Sequence, residues 1–341
     1  MVILSVLDQT PIAAGSTPAS ALANSIDLAR HCEALGYHRY WLAEHHASPA
    51  LAGSAPEILI GAVAAATSRM RIGSGGIMLP HYSPLKIAEV FSLLAGLYPG
   101  RIDLGLGRAP GSDQRTSVAL QRDRRQYPPN DFPNQLAELI GYLEDTLPPD
   151  HPFAAYAQTL PGLPHAPEPW VLGSSPDSAG FAGDLGLPYC FADFISAVGG
   201  PIAADYRAGF TPRHAGDKPH VMVAVWTVAA ETDAEAQRLA APARMMFAHL
   251  LTGRSIPVPD PETALAWLAD RPELSQPRAG RRVVAGSPET VRAGLAAVAA
   301  EYGADEVMLV NILHDHQARK RSYKLAMQAM AELAAPGRVA A

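Results

Sequence analysis

The chain has 341 residues, 48% hydrophobic and 18% charged, with a formal net charge of −6. Such a composition supplies a large core and leaves little material for disorder, and the acidic balance argues against nucleic acid as the main partner. The length is high for one domain but falls within the range of an α/β barrel carrying insertions.

The first run, Ile3–Leu7, is β-branched and leucine-rich, and reads as a buried strand. MVILSVLD has no basic leader and no small-residue cleavage site, so a strand is expected there and not a signal peptide. No run of 18 apolar residues occurs, so no membrane span is expected, and a cytoplasmic enzyme is the broad expectation. From Pro18 to Leu35, apolar residues fall at helical spacing, with Cys32 among them, and Gly36 follows as a C-terminal cap. Tyr40–Ala43 is the second strand, a helix runs from about Ala55 to Thr67, and Arg71–Leu79 is the third strand. Ser83–Leu97 is a helix ended by Pro99-Gly100, and Ile102–Gly107 is the fourth strand. The second half repeats the rhythm. Strands are expected at Trp170–Gly173, Tyr189–Ala192, His220–Val228 and Val307–Val310, and helices at Ser178–Gly186, Pro201–Arg207, Pro288–Tyr302 and Gln317–Ala334. Cys32 and Cys190 form no CxxC pair and read as small buried residues of a reduced compartment.

Strands alternating with crossover-length helices imply a parallel sheet flanked by helices. Eight strand-like units and about eight helices point to one closed (β/α)8 TIM barrel spanning 1–341; an open doubly wound sheet accounts for the count less directly. Two segments break the rhythm. Residues 109–167 are polar and proline-rich around one helical patch, Phe132–Thr146, and residues 253–285 contain IPVPDPE and ELSQPRAGRR. Both are expected at the C-terminal face of the barrel, as a wall and a lid of the site.

Four stretches could carry chemistry. WLAEHH (41–46) places Glu44, His45 and His46 at a strand end. Adjacent histidines of an extended segment point to opposite sides, so they suit a shared metal ion poorly, unlike HExxH on a helix. A structural Glu–His corner and a catalytic role both stay open. GSSPDS (173–178) lies between a strand and a helix. Ser174, Ser175 and Ser178 suit either an anion site at a helix N-terminus or ordinary capping. The pair Gly75-Gly76 in GSGGIM is a bulge or a bare backbone for a flat ligand. Arg108, just past the fourth strand, suits an anionic or electron-rich ligand or a surface salt bridge. Neither GxGxxG opening a helix nor GxxxxGK[ST] is present, which disfavours a dinucleotide fold and a P-loop.

Taken in order, these stretches resemble the bacterial luciferase-like flavin monooxygenase family. HYSPLKIAEVFSLLAGLYPGRIDLGLGRAPG (81–111), LGLPYCFADF (185–194), GSPETV (286–291) and DHQARKRSYKLAM (315–327) complete the resemblance over nearly the whole chain. The closest likeness is to the luciferase-like oxidoreductases of unknown substrate. The resemblance implies a (β/α)8 barrel that binds FMN, used as FMNH2 from a separate flavin reductase, and oxidises a small organic substrate with O2. It implies that His45 is the catalytic histidine, assisting formation and use of the flavin hydroperoxide, and that Glu44 lies beneath the flavin. It also implies that Gly75-Gly76 is a non-prolyl cis peptide under the isoalloxazine ring, that Arg108 stands beside the ring, and that Ser174, Ser175 and Ser178 hold the FMN phosphate. One departure is Asp193, where the subgroup often has histidine, a change that bears on the substrate pocket. Residues 253–285 carry little recognisable identity. Two alternatives remain: a deazaflavin-dependent hydride-transfer enzyme of the same superfamily, and a flavin-binding protein without turnover. A homodimer is expected through the small-residue helix GAVAAAT (61–67).

Overall fold

A computed structural model describes residues 2–108, 113–120, 131–274 and 281–331. Among them lie nine strands: β1 (Ile3–Asp8), β2 (Arg39–Leu42), β3 (Arg71–Met78), β4 (Ile102–Gly107), β5 (Glu168–Gly173), β6 (Tyr189–Ala192), β7 (Val221–Ala229), β8 (Val283–Gly286) and β9 (Glu306–Val310). All pairings among them are parallel. Strands β1 to β7 follow one another in order, and β9 closes the ring by pairing with both β7 and β1. The molecule is therefore the closed eight-stranded barrel expected from the alternation.

The ninth strand, β8, stands outside the ring and was not among the eight expected. It pairs only with the upper half of β7, from Trp226↔Val283 to Ala229↔Gly286. The lower half of β7 pairs with β6, which stops at Ala192↔Ala224. So β8 continues the wall above the point where β6 ends. Four residues of RVVAG inside a polar segment carry too short a pattern to mark a strand.

The helices are α1 (Pro18–Leu35), α2 (Pro56–Ala66), α3 (Pro84–Leu97), α4 (Gln114–Leu120), α5 (Phe132–Glu144), α6 (Pro176–Asp184), α7 (Gly200–Ala208), α8 (Asp233–Leu251), α9 (Pro261–Ala269), α10 (Pro288–Tyr302) and α11 (His316–Ala331). Four of these starts follow one local rule. Thr17, Ser175, Asp260 and Ser287 each accept a backbone N–H from the first turn, and proline follows each cap. Proline suits that position because its missing N–H would have found no partner there. Gly36 and Gly303 end α1 and α10 at φ of 91° and 54°, a left-handed conformation that glycine adopts without strain.

Side chains alternate along the strands. Val6, Tyr40, Ile72, Leu104, Val171 and Phe191 face the helices in an outer apolar layer. Leu7, Trp41, Trp170, Cys190, Met222 and Met308 fill the lumen. Both cysteines are buried free thiols. The lower lumen is polar instead. Arg39 bonds Asp103 at 2.9 Å and Glu306 at 3.2 Å, Arg71 bonds Glu168 at 2.7 Å, and Trp41 Nε1 donates to Asp103 at 2.8 Å. These charges come from the first residues of the strands, so the floor is sealed by ion pairs and the open end is the C-terminal one.

The two insertions are held differently. In the first, α5 buries Phe132, Leu136, Leu139 and Ile140 in the outer layer and packs on α3, taking the crossover position between β4 and β5. In the second, α9 packs on α8, and Val258 exchanges hydrogen bonds of 2.8 and 2.7 Å with Ile12 and Ala14 of the loop after β1. Residues 109–112, 121–130 and 275–280 of these insertions, and 332–334 of the last expected helix, lie outside the described residues.

Candidate active site

The barrel brings all the candidate residues to the C-terminal ends of neighbouring strands: Glu44 and His45 after β2, Gly75-Gly76 in β3, Arg108 after β4, and the serines after β5. Register makes the first two groups neighbours, since Trp41 pairs with Gly73 and Leu42 with Ser74.

Glu44 is fully buried, and its carboxylate accepts three hydrogen bonds. Met78 N–H donates at 2.8 Å, Tyr82 O–H at 2.7 Å and His46 Nε2 at 2.6 Å. It thus ties the end of β3 to the β2 exit. Burial and the adjacent carboxylate push the Tyr82 phenol well above its usual range. Tyr82 and the Met78 amide are functional neighbours that spacing alone does not disclose, although HYSP lies within the quoted likeness. His46 also meets the His81 ring edge-on at 6.0 Å. His46 is therefore held by Glu44 and set against His81.

His45 differs from His46. Its backbone N–H donates to Gly53 O at 2.7 Å, which fixes the loop. Its Nδ1 is buried with no hydrogen-bond partner. Burial, with a smaller effect of His46, brings the imidazole down to about 4, so the ring is neutral at physiological pH. A buried, neutral ring nitrogen with nothing to bond is an unusual expense in a folded protein.

The Gly75-Gly76 peptide is cis. A Cβ on Gly75 would meet Leu7 Cδ1 at 2.5 Å and Trp41 Cβ at 3.1 Å, and one on Gly76 would meet Gly105 O at 2.8 Å. Side chains are excluded at both positions, and the β3–β4 register shifts between Ser74 and Ile77.

Arg108 reaches across to the next strand end and bonds Asp177 Oδ2, in the first turn of α6, at 3.0 Å. The pair is solvent-exposed, so it orients more than it stabilises. At the same helix start Ser175 is the cap. The Ser178 hydroxyl donates to Ser175 O at 2.7 Å and meets Tyr189 OH at 3.0 Å, which turns it inward. Ser174 stands partly exposed, and no described residue bonds its hydroxyl. The serines thus divide: Ser174 is available to a ligand, Ser175 caps, and Ser178 braces the turn.

Asp193 lies elsewhere. Its carboxylate accepts from Tyr302 O–H at 2.8 Å and faces Arg282 at 3.5 Å. Phe191, two residues earlier, packs on the same tyrosine in the outer layer. Asp193 is therefore on the helix side of the wall, not in the lumen.

The sequence profile of the luciferase-like monooxygenase family matches residues 2–306. The chain belongs to this family. A luciferase-like monooxygenase of Escherichia coli K12 is 40% identical over 336 residues, covering 97% of this chain and 98% of the relative. The N-acetyl-S-alkylcysteine monooxygenase of Bacillus subtilis 168 is 35% identical over 333 residues, with 97% and 98% covered. Among solved structures, apo-MsnO8 superposes with a TM-score of 0.88 at 40% identity, covering 97% of this chain and 99% of the other. At 19% identity the fold extends to the oxygenating constituent of 3,6-diketocamphane monooxygenase of Pseudomonas putida, solved with FMN (TM-score 0.71; 97% and 98% covered). The chain therefore spans nearly the full length of these relatives.

Proposed function

We propose that the protein is an FMN-dependent monooxygenase that takes FMNH2 from a separate reductase and oxidises a small organic substrate with O2. The observation that carries this reading is the orphaned Nδ1 of His45, just past β2, whose neighbour β3 carries the bare Gly75-Gly76 backbone. Likeness supports it from outside: relatives are called monooxygenases, and a structural neighbour was solved with FMN.

The residues present fit the cofactor. Gly75-Gly76 offers flat backbone to the ring, Arg108 and Ser174 offer a cation and a hydroxyl near the start of α6, and the α6 amides add the field of a helix N-terminus. When bound and reduced, the flavin supplies the electrons that split O2, one oxygen atom entering the substrate and the other leaving as water. His45, neutral and unpaired, holds or moves a proton at Nδ1 beside the reacting centre. Glu44 is a positioning residue: its three hydrogen bonds fix His46, Tyr82 and the β3 exit. The apolar lumen wall of Leu7, Trp41 and Trp170 excludes water beneath. Exposed Ile58, Leu93 and Leu97 on α2 and α3 support a homodimer, which sedimentation at micromolar concentration would reveal.

The test mixes protein-bound FMNH2 with oxygen and follows hydrogen peroxide release. The native protein should release it slowly and His45→Ala quickly, with FMN affinity retained. Equal rates, matching free FMNH2, would sink the role of His45. Tight binding of a deazaflavin without FMN binding would move the protein to the hydride-transfer branch.

A further inference from the structure

The lumen wall opposite Gly75-Gly76 carries a second set of unassigned groups. In the ring of eight, β3 and β7 stand four places apart, so Trp226 of β7 lies across the barrel from the glycines. Trp226 meets Phe194 edge-on at 6.1 Å and Phe247 of α8 at 5.3 Å. Phe247 and Met246 belong to the same interior cluster as Leu7 and Trp41. The C-terminal half of α8 therefore closes over the mouth with an apolar, aromatic surface.

Arg244 stands three residues before Phe247, on the same side of α8. Its Nε is buried with no partner. Among the described residues its NH2 group bonds only the Gln237 side-chain oxygen, and no carboxylate pairs with it. The two fully enclosed guanidiniums are unlike this half-buried one: Arg39 bonds Asp103 and Glu306, and Arg319 bonds Asp8 at 2.6 Å. Burial alone acts on Arg244 and pulls its pKa down, with no neighbouring carboxylate to oppose it. A half-buried cation without a counter-charge carries part of its desolvation cost uncompensated, and that cost is offset when an anion arrives. A second guanidinium, Arg281, lies over the Phe247 ring at 4.1 Å and adds positive field at the same place.

We propose that α8 carries an acid-recognising subsite: the substrate is a small organic acid whose apolar body lies against Trp226, Met246 and Phe247 and whose carboxylate or sulfonate pairs with Arg244. The proposal rests on reading the barrel mouth as the reaction site. The anion is assigned to substrate and not to the cofactor phosphate because the phosphate is assigned to Ser174 at the start of α6, after β5, on a different part of the rim. An apolar body facing the glycines would lie over the flat ligand proposed there, with the charged end held away from the reacting centre.

The probes are 4-phenylbutanoate and its neutral counterpart 4-phenylbutan-1-ol, titrated calorimetrically into the protein with and without FMN. The acid should bind more tightly than the alcohol, and Arg244→Gln should weaken the acid at least about tenfold while leaving the alcohol and FMN unchanged. Arg244→Lys should restore part of the acid's advantage. The melting temperature of Arg244→Gln should be no lower than that of the native protein, since a merely structural arginine would lower it on removal. Failure of the acid to bind, equal binding of acid and alcohol, or an unchanged preference in Arg244→Gln would overturn the subsite. Loss of FMN binding with the acid preference intact would instead overturn the cofactor reading and leave the subsite standing.

Discussion

His45 makes a quantitative prediction about pH. Its imidazole falls from an ordinary 6.5 to about 4 in the folded chain, chiefly through burial. Between those values the unfolded chain binds a proton that the folded chain does not. Stability is therefore full above pH 6.5 and falls as pH drops toward 4. At 1.36 kcal/mol per unit the whole effect is ~3 kcal/mol, and about 2 kcal/mol of it is lost between pH 8 and pH 5. The perturbation is His45→Asn, which keeps a polar side chain and removes the titration; the backbone bond to Gly53 is untouched. Urea unfolding of both proteins at pH 8 and pH 5 gives the comparison. Other groups, including the buried-shifted His31 and His38, titrate in both proteins and cancel. The native protein should lose about 2 kcal/mol more than the variant on acidification. An equal loss in the two proteins would mean that His45 is solvated, and the case for its ligand-facing nitrogen would fall with it.

Two further outcomes follow from packing. Gly76→Ala should cost more than Gly75→Ala, roughly 1–3 kcal/mol or above, because its Cβ would press on the Gly105 backbone whereas Gly75 presses mainly on the end of Leu7. Thermal melts that reversed this order would refute the argument. Asp8→Asn should cost about 3–5 kcal/mol in urea midpoints, since it strips the buried Arg319 of its counter-charge and loosens the bond from Tyr40; a neutral result would show that water reaches Arg319.

Much of the fold could be read from short-range signals. The Thr17-Pro18 and Ser287-Pro288 starts and the Gly36 and Gly303 ends bracket helices that the structure reproduces almost to the residue. Strand β8 could not be read, because its four residues gain order from the upper half of β7, a partner more than fifty positions away. The site was legible in outline, as strand-end residues, but not in its bonding. Nothing in the spacing of Glu44 and Tyr82 shows that they share a hydrogen bond, since a barrel creates that contact by setting β2 beside β3. The same holds for Ser178, whose hydroxyl turns to Tyr189 because β5 and β6 are neighbours, and for Asp193, which the β6 alternation directs outward to Tyr302. Arg244 carries no motif at all. Only the absence of a carboxylate partner among the described residues singles it out.

The flavin assignment is most directly tested by anaerobic titration of the protein with FMNH2, alongside oxidised FMN and a reduced deazaflavin, in the native chain and in Arg108→Ala. Saturable FMNH2 binding at one site per chain, weakened at least about tenfold in Arg108→Ala and stronger than deazaflavin binding, is the predicted result. Absence of flavin binding, or binding that Arg108→Ala leaves unchanged, would contradict a flavin site at these strand ends.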